Sequence, residues 1–427
     1  MIKNFRSIDG FFNKQIKYQE YTGNILKSKK YSILGSGNSI SNLPFNEKSI
    51  LLKNKSKQKI ILNKKNLEIT ASGDMEVYKI HNFLIKNSLY IPSFPSFPTV
   101  TLAACVANCV HGLQPKKGCL DKYIKNIKIY NPNFGFKVLN RKKNSDLFYL
   151  TIGGMGLTGI IHEVTLKAVT LKSTFIKRKT FKVDSLLEGY FFLKRSKSFY
   201  NQNNFFIMHS QKKFSEGIIS TGNFYRRSKI PKEVRKKKIS QLRFGLFDFE
   251  ILRIIINKLM LYFFKILYYK NIIHINEALF PSNQRLLYFN LLKNKFIEHQ
   301  VIIPDKYVQE YLKRFETIVK KIKPSISLCH LKIFSGNGKN LQFIQSGLGI
   351  AMHIMVNKNF KIFYTELKKL DFKYKCKVNL YKNSMADLKL IKKNYPKNYE
   401  IFKSKIKKIN KTIYFTNKIF NEKFYND

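Results

Sequence analysis

The sequence has few acidic residues and no tryptophan. Its 427 residues include 79 Lys and Arg against 26 Asp and Glu, which gives a formal net charge of +53. A basic field attracts phosphate, so one interpretation is a nucleic-acid-binding protein. However, the lysines are spread along the chain, and the abundance of Lys, Asn, Ile, Phe and Tyr is what AT-rich codons produce. We therefore expect no nucleic-acid partner; an anionic substrate or an anionic membrane surface explains the charge better.

The sequence also lacks long apolar runs, a secretory signal and a disulfide framework. No segment has the unbroken apolar length of a membrane span. Residues 1–24 contain no apolar stretch followed by a small-residue cleavage site. The cysteines are odd in number and fit no zinc-binding spacing; they are Cys105, Cys109, Cys119, Cys329 and Cys376. We expect free thiols in a reducing compartment, no metal, and a protein that is cytoplasmic or peripheral to the membrane.

Alternating sequence patterns predict an α+β fold. Short apolar runs bounded by turn residues predict strands in the first third of the chain, at 31–34, 49–54, 59–63, 66–72, 124–131, 136–140, 147–152 and 159–169. Apolar residues at helical spacing predict a helix over 75–89, and three prolines in 91–100 exclude regular structure there. Further strands are predicted at 299–304, 330–334 and 347–356, and a helix near 394–410.

Residues 243–271 form the most apolar segment, interrupted by Arg253, Lys258 and Lys265. This pattern fits an amphipathic helix at a membrane interface. It also fits a helix packed in the core or over a substrate pocket, which is the commoner arrangement in large proteins.

Three glycine-containing motifs suggest a ligand site. The turn Gly35-Ser36-Gly37-Asn38-Ser39 follows a predicted strand, and successive N–H groups in such a turn form a nest for a pyrophosphate. It lacks the third glycine and the long helix of a Rossmann fingerprint. The second motif, TLAACVANCVHG (101–112), is small and apolar and ends in His111. The third, IGGMGLTGII (152–161), carries four glycines between strand-like runs, which is typical of close backbone packing or a ligand wall.

In this order the three motifs resemble the FAD-binding domain of the p-cresol methylhydroxylase and vanillyl-alcohol oxidase family. That family has a Gly-x-Gly-x-Ser turn, a Pro-rich segment followed by a small-residue stretch ending in His-Gly, and a Gly-Gly-x-Gly-Leu-Thr-Gly segment. Three later segments, at 298–304, 330–338 and 376–387, resemble the decaprenylphosphoryl-ribose oxidases within it. The resemblance implies an FAD-binding domain of two subdomains, built from 1–172 and 377–427. A substrate domain based on an antiparallel sheet with helices, 173–376, lies between them.

The resemblance also implies roles for individual residues. Gly35, Ser36, Gly37, Asn38 and Ser39 would hold the FAD pyrophosphate. The flavin and ribityl chain would be lined by Thr101, Ala104, Asn108, His111 and Gly112. The adenosine part would be surrounded by Gly156, Thr158, Gly159 and Ile161. Gln300, Lys332 and Lys382 would face the substrate, with Lys382 stabilising negative charge on the reduced flavin and Lys332 meeting a substrate phosphate. Gln300, His111 and Lys382 are thus the expected catalytic residues, although His111 also fits a packing role, Gln300 an ordinary strand position and Lys382 an ordinary surface lysine.

Several positions depart from the family pattern. Leu34, Ala103-Ala104, Leu113 and Asn379 replace an Arg, a Gly-Gly, a basic residue and an aromatic. No His lies at the first turn, where covalent members of the superfamily attach flavin, so noncovalent FAD is expected.

Three functions remain open. The first is FAD-dependent oxidation of a secondary alcohol on a sugar-like substrate, which the resemblance extends to a polyprenyl-phosphate-linked pentose and an NAD(P)-dependent reductase partner. The second is an aldonolactone-type sugar oxidase, whose branch generally carries a His near the first turn. The third is a non-catalytic protein, either a nucleic-acid binder or a decayed flavin scaffold.

Overall fold

The computed structural model describes most of the chain beyond the amino-terminal segment. The described residues are 18–21, 23, 25, 28–39, 41–46, 48–113, 115–208, 214–226, 230, 232–235, 244–267, 270–281, 288, 290–383, 385–421 and 424. The expected absence of a secretory signal concerns residues 1–24, which lie almost wholly outside these ranges.

The described strands, in chain order, are β1 Tyr18–Tyr21, β2 Tyr31–Leu34, β3 Ile50–Asn54, β4 Ile60–Asn63, β5 Glu68–Ser72, β6 Leu89–Tyr90, β7 Ile124–Asn131, β8 Gly135–Leu139, β9 Ile160–Lys167, β10 Val169–Thr170, β11 Phe175–Val183, β12 Tyr200–Ile207, β13 Ser215–Phe224, β14 Ile272–His274, β15 Phe296–Pro304, β16 Ile326–Asn337, β17 Gln345–Met355 and β18 Lys377–Val378. The described α-helices are α1 Val77–Lys86, α2 Leu102–Ala107, α3 Ser145–Thr151, α4 Leu186–Arg195, α5 Glu250–Tyr262, α6 Phe264–Leu267, α7 Ile275–Leu279, α8 Val308–Ile322, α9 Phe360–Lys373, α10 Leu388–Asn394 and α11 Pro396–Ile409.

Two sheets form the first part of the chain. A parallel sheet has the order β1-β3-β2, and an antiparallel sheet has the order β4-β5-β9-β7-β8. Their inner faces bury residues such as Tyr31, Leu52, Ile69 and Val164, each at most 1% exposed. Short apolar runs correctly predicted the strands of these sheets except β1, which the pattern did not indicate.

One predicted strand is wrong. Residues 147–152 were expected to be extended, but Ser145–Thr151 is helix α3. Phe148, Leu150 and Thr151 are buried on this helix. A short apolar run is therefore compatible with a buried helix as well as with a strand. Asp146 in its first turn suits a helix amino terminus.

The middle of the chain forms one large antiparallel sheet with the order β14-β11-β13-β12-β16-β17-β15-β18. Helices α8 and α9 pack on its back face. There, buried His299 on β15 contacts Asp371 of α9 at 2.8 Å, and Tyr311 of α8 donates a 2.8 Å hydrogen bond to the same carboxylate. These polar contacts tie both helices to the sheet and leave its opposite face free for a site.

The carboxy-terminal segment returns to the first sheet. After α10 and α11, the amide of Tyr31 donates to the carbonyl of Tyr414 at 2.7 Å, and the amide of Thr416 donates to the carbonyl of Tyr31 at 2.9 Å. The α+β class with antiparallel sheets is therefore confirmed. The domain boundaries at 172 and 376 stay predictions.

Among the described residues, no helix is both long and apolar enough to cross a bilayer.

Candidate functional site

The three glycine motifs converge on helix α2. A Cβ atom at Gly35 would lie 3.0 Å from Thr101 Oγ1 and 3.1 Å from Ala104 Cβ, so the first turn presses against the start of this helix. At the other end of α2, the amide of Gly153 donates to the carbonyl of Val106 at 3.0 Å. The small residues of α2 allow both approaches, as the sequence predicted.

The first turn leaves its backbone amides without a partner among the described residues. Ser36 and Asn38 fix it through hydrogen bonds to the carbonyl of Thr99, at 2.5 and 3.3 Å. Gly37 has a φ of 73°, which favours glycine. Among the contacts of the described residues, the N–H groups of residues 36–39 donate no hydrogen bond. They are therefore available to an anion, as in a pyrophosphate-binding nest.

The third motif forms a wall beside β2. Gly156 has a φ of 80°, and a Cβ there would lie 3.3 Å from Ile33 Cβ. The carbonyls of Met155 and Leu157 accept hydrogen bonds from Asn417 and Asn410, at 3.2 and 3.0 Å. The carboxy-terminal segment thus holds the loop in place.

The other residues assigned to the cofactor lie on or near α2, and their local surroundings differ. Asn108 ends α2, and Thr101 begins it. Thr158 and Ile161 are buried. A Cβ at Gly159 would lie 2.3 Å from the Tyr130 carbonyl, so strand packing alone requires this glycine.

A cavity of about 720 Å³ lies on the free face of the large sheet. Charged and polar lining residues include Glu298, Gln300, His330, Lys332, His353 and Lys382. Apolar lining residues include Phe206, Phe247, Met260, Leu291 and Ile333. The charged and polar residues form a basic, hydrogen-bonding surface, here called the floor, and the apolar residues form the walls. This combination suits an anionic ligand bearing apolar groups.

The floor follows the two-residue period of the strands. Glu298 and Gln300 of β15 pair with His353 and Ala351 of β17, while Lys332 of β16 pairs with Gly349. Residues two apart on a strand point to the same face. The lining residues of three neighbouring strands therefore meet at one surface.

His111 links the glycine motifs to this floor. Its Nδ1 donates to the carbonyl of Gly112 at 2.8 Å, and its Nε2 accepts from Gln300 Nε2 at 3.2 Å. Gln300 Oε1 in turn accepts from Asn379 at 2.8 Å. Burial, together with the positive charges of Lys332 and Lys382, lowers the pKa of His111 well below its usual range. The imidazole is therefore neutral, and its acceptor nitrogen is engaged by Gln300.

Lys332 lies beside the same histidine. Its Nζ donates to the Gly112 carbonyl at 3.1 Å and lines the cavity. Burial, followed by the charge of Lys382, lowers the pKa of Lys332 to about 7. This ammonium changes its charge near neutrality, which few lysines do.

Lys382 has a buried acidic partner. Its Nζ lies 2.7 Å from Glu298 Oε1, and the two side chains are 37% and 5% exposed. Burial alone would raise the pKa of Glu298, but Lys382 and His353 hold it well below its usual range. His353 also contacts Tyr288, whose hydroxyl lies 2.8 Å from Ser327 Oγ. Lys382 thus belongs to a charged network and is not an isolated surface lysine.

Sequence reasoning did not single out Glu298 and His353. Strand alternation was the available signal, because Glu298 is two residues from Gln300 and must share its face. Asn379, noted as a departure from the aromatic of the family, supports Gln300. Leu113, noted as a departure from a basic residue, lines the cavity beside Lys116 and Lys117.

The five cysteines are free and buried. Burial raises the pKa of the thiols of Cys105, Cys109 and Cys119 far above its usual range. A neutral, buried thiol is a poor nucleophile.

Comparison with known proteins gives partial similarities. No family model matches the chain. The chain is similar to D-arabinono-1,4-lactone oxidase of Candida glabrata, with 25% identity over 38% of this chain and 32% of the relative. It is similar to mitochondrial L-galactono-1,4-lactone dehydrogenase 2 of Oryza sativa subsp. japonica, with 26% identity over 33% of this chain and 24% of the relative. The match to decaprenylphosphoryl-beta-D-ribose oxidase of Mycolicibacterium smegmatis has 22% identity over 73% of this chain and 71% of the relative. The chain therefore spans about a third or less of the two lactone-acting relatives, and all three relatives are oxidases or dehydrogenases named for sugar-derived substrates.

Proposed function

We propose that the chain is an FAD-dependent oxidoreductase that oxidises a secondary alcohol of a sugar-like substrate in the cavity. The observation that carries the proposal is the junction at His111. This residue ends the segment that packs against the glycine turn, and it contacts Gln300 and Lys332 on the cavity floor. The names of the relatives support the same class of reaction.

The residues present fit FAD. The unpaired amides of residues 36–39 suit its pyrophosphate. The glycines and small side chains of α2 and of the loop 153–156 let these backbones pack close to the turn, which supports a ligand wall beside it. Bound FAD would supply the acceptor for the hydride from the alcohol carbon. No histidine lies in the first turn and the nearby thiols are neutral, so the cofactor is noncovalent.

The protein's own residues position the reactants and balance their charges. Neutral His111, fixed by Gly112 and Gln300, orients the floor. Lys382 supplies positive charge at the place where negative charge develops during the reaction. Glu298 offsets part of this positive charge. Lys332 binds an anionic group of the substrate. The contacts described above support these roles.

For the substrate, the first candidate is a pentose joined through phosphate to an apolar carrier. Lys332 matches the phosphate, the apolar walls match the carrier, and the match to the ribose oxidase extends over most of the chain. The second candidate is an aldonolactone, which the two lactone-acting relatives favour. An aldonolactone carries no phosphate and would leave Lys332 without a role.

The test begins with the visible absorption spectrum of the purified protein, before and after acid precipitation. Flavin bands that move to the supernatant are expected. Turnover is then measured with a phosphate-linked pentose lipid and with aldonolactones, using an artificial dye as electron acceptor. Absence of flavin after incubation with FAD would refute the proposal. Turnover with aldonolactones alone would transfer the assignment to the second candidate.

A further inference from the structure

Helix α5 and the short helix α6 carry an unusual apolar outer face. Exposed apolar residues include Phe249, Ile251, Tyr262 and Ile266, at 64%, 74%, 81% and 66% exposure. Others on the same segment are Phe244, Leu246, Leu252, Ile255, Leu259 and Phe263. Soluble monomers rarely expose so contiguous an apolar surface without an interaction partner.

The polar side of this helix points inward. Arg253, Asn257 and Leu261 are its buried residues. Arg253 donates to the carbonyl of Phe247 at 3.0 Å, and Asn257 lines the cavity with Met260. The helix therefore does cover the cavity, one of the two arrangements that the sequence allowed, but its apolar side is not packed in the core.

The charges around this face favour an anionic surface. Lys258 and Lys265 lie exposed among the apolar residues, with Lys270 just beyond, while Glu250 is the exposed acid of the same helix. The whole chain carries a formal charge of +53. A second copy of such a chain would be repelled, whereas anionic lipid head groups would be attracted.

We propose that the outer face of α5 and α6 binds the surface of an anionic lipid bilayer. Its apolar residues insert at the boundary of head groups and acyl chains, and its lysines contact the head groups. The inner side of α5 meanwhile forms a wall of the cavity. This proposal does not depend on flavin binding.

The absence of tryptophan allows a direct test. In the full chain, Tyr262→Trp places a single fluorescent reporter on the proposed face. Ile362→Trp places one on the outside of α9, at a residue that is 61% exposed. Vesicles of phosphatidylcholine and phosphatidylglycerol in equal parts should shift the emission of the first variant to shorter wavelength and leave the second unchanged. Equal shifts, or no shift in either, would overturn the proposal.

Co-sedimentation with the same vesicles gives an independent measurement. Ile251→Gln and Leu259→Gln should each lower partition by about tenfold, because each removes a buried aliphatic side chain from the lipid. Ile362→Gln is the matched control and should have no effect. Vesicles of phosphatidylcholine alone, or high salt, should reduce binding of the unmodified protein.

The remaining alternative is that a second copy of the chain covers this face, and sedimentation velocity without lipid tests it. A dimer that dissociates in Leu259→Gln would show that a second copy covers this face, and would overturn the proposal. Flavin content and circular dichroism of each variant confirm folding, so that failure of the vesicle test is distinguishable from failure of the proposed enzymatic function.

Discussion

At the scale of single residues, the site depends on how burial and neighbouring charge set protonation. His111 is neutral, Glu298 is ionised although buried, and Lys332 titrates near neutrality. Burial opposes charge in all three, and only Glu298 has partners close enough to reverse that effect. Changes of pH and of single side chains therefore test the assigned roles.

Binding of a phosphate-bearing sugar should depend on pH through Lys332. Its ammonium is charged below a pKa of about 7 and neutral above it. The dissociation constant of ribose 5-phosphate, measured by calorimetry, should therefore rise by up to about tenfold per pH unit above 7. Lys332→Arg keeps the charge and should flatten this dependence, and Lys332→Met should bind weakly throughout. If kcat instead increases with pH and this increase is lost in Lys332→Arg, Lys332 accepts the substrate proton.

Removing Lys382 should destabilise the protein through Glu298. Breaking a fully buried pair costs about 3–5 kcal/mol, and partial exposure of Lys382 reduces our expectation to about 2 kcal/mol for Lys382→Met. The double variant Lys382→Met/Glu298→Gln should recover much of this loss, as urea denaturation would measure.

The sign of the pH effect is a further check on the same pair. The pKa of Glu298 is lowered in the folded state, so the pair stabilises the fold fully above the ordinary pKa of a glutamate. This stabilisation is lost progressively as pH falls from that value towards the lowered pKa of the folded state. The loss in Lys382→Met should thus be large near neutral pH and small in acid. A loss that is equal at both pH values would contradict the assignment.

The sequence identified His111, Gln300, Lys332 and Lys382 through family resemblance, and the structure brings these four to one floor. Glu298 was missed because an acidic residue in an apolar strand has no chemical signature of its own. Only pairing of β15 with β17 shows that it faces His353 and, beyond the strand, Lys382. Such long-range pairing is not encoded in local spacing.

At the scale of elements, glycine-containing turns and one short helix form the candidate cofactor site. Helix α2 has only six residues, so its contribution is close packing at both ends. The motif GGMG could be recognised by its glycines, two of which, Gly153 and Gly156, have a φ of 80°. The strand predicted at 147–152 failed because a run of six residues, five of them apolar, gives no period to distinguish a strand from a buried helix.

Gly156→Ala should weaken FAD binding beyond its effect on stability. An alanine at a φ of 80° costs about 1 kcal/mol in backbone strain, and its Cβ would crowd Ile33 in the cofactor wall. Gly135→Ala is the matched control, since Gly135 has a φ of 69° with nothing within 4 Å of an added Cβ. Thermal denaturation should show similar losses for both. Fluorescence titration with FAD should show weaker binding only for Gly156→Ala, and equal affinities would argue against the assigned wall.

At the scale of the whole molecule, the candidate site is assembled from distant parts of the chain. The first sheets supply the glycine motifs, the large sheet supplies the floor, and the carboxy-terminal segment braces the loop 153–157. Sequence patterns located most strands of the first sheets and β15 to β17 but not β11 to β14. Only the family resemblance predicted that the end of the chain returns to the start.

Asn417→Ala should therefore reduce FAD affinity from outside the site. It removes the hydrogen bond to the Met155 carbonyl and the two that Asn417 Oδ1 accepts from the amides of Ile419 and Phe420, and should lower the free energy of unfolding by about 2–4 kcal/mol. Asn87→Ala removes a comparable bond to the Phe83 carbonyl at the end of α1, away from the motifs. Denaturation should show a loss in both variants. FAD titration should separate them, and unchanged affinity in Asn417→Ala would show that the brace is unnecessary.

The same return of the chain bears on how the protein is made. Ser32 donates a 3.0 Å hydrogen bond to the carbonyl of Thr416, so the two partners are 384 residues apart in synthesis. During synthesis on a ribosome, the edge of β2 that contacts residues 414–416 stays uncovered until almost the entire polypeptide has been made. The large sheet, whose strands lie nearer together in sequence, can form while the cofactor turn is still incomplete. If FAD binds at the glycine motifs as proposed, a nascent chain stalled before Tyr414 should carry the cavity of the large sheet and still bind FAD weakly.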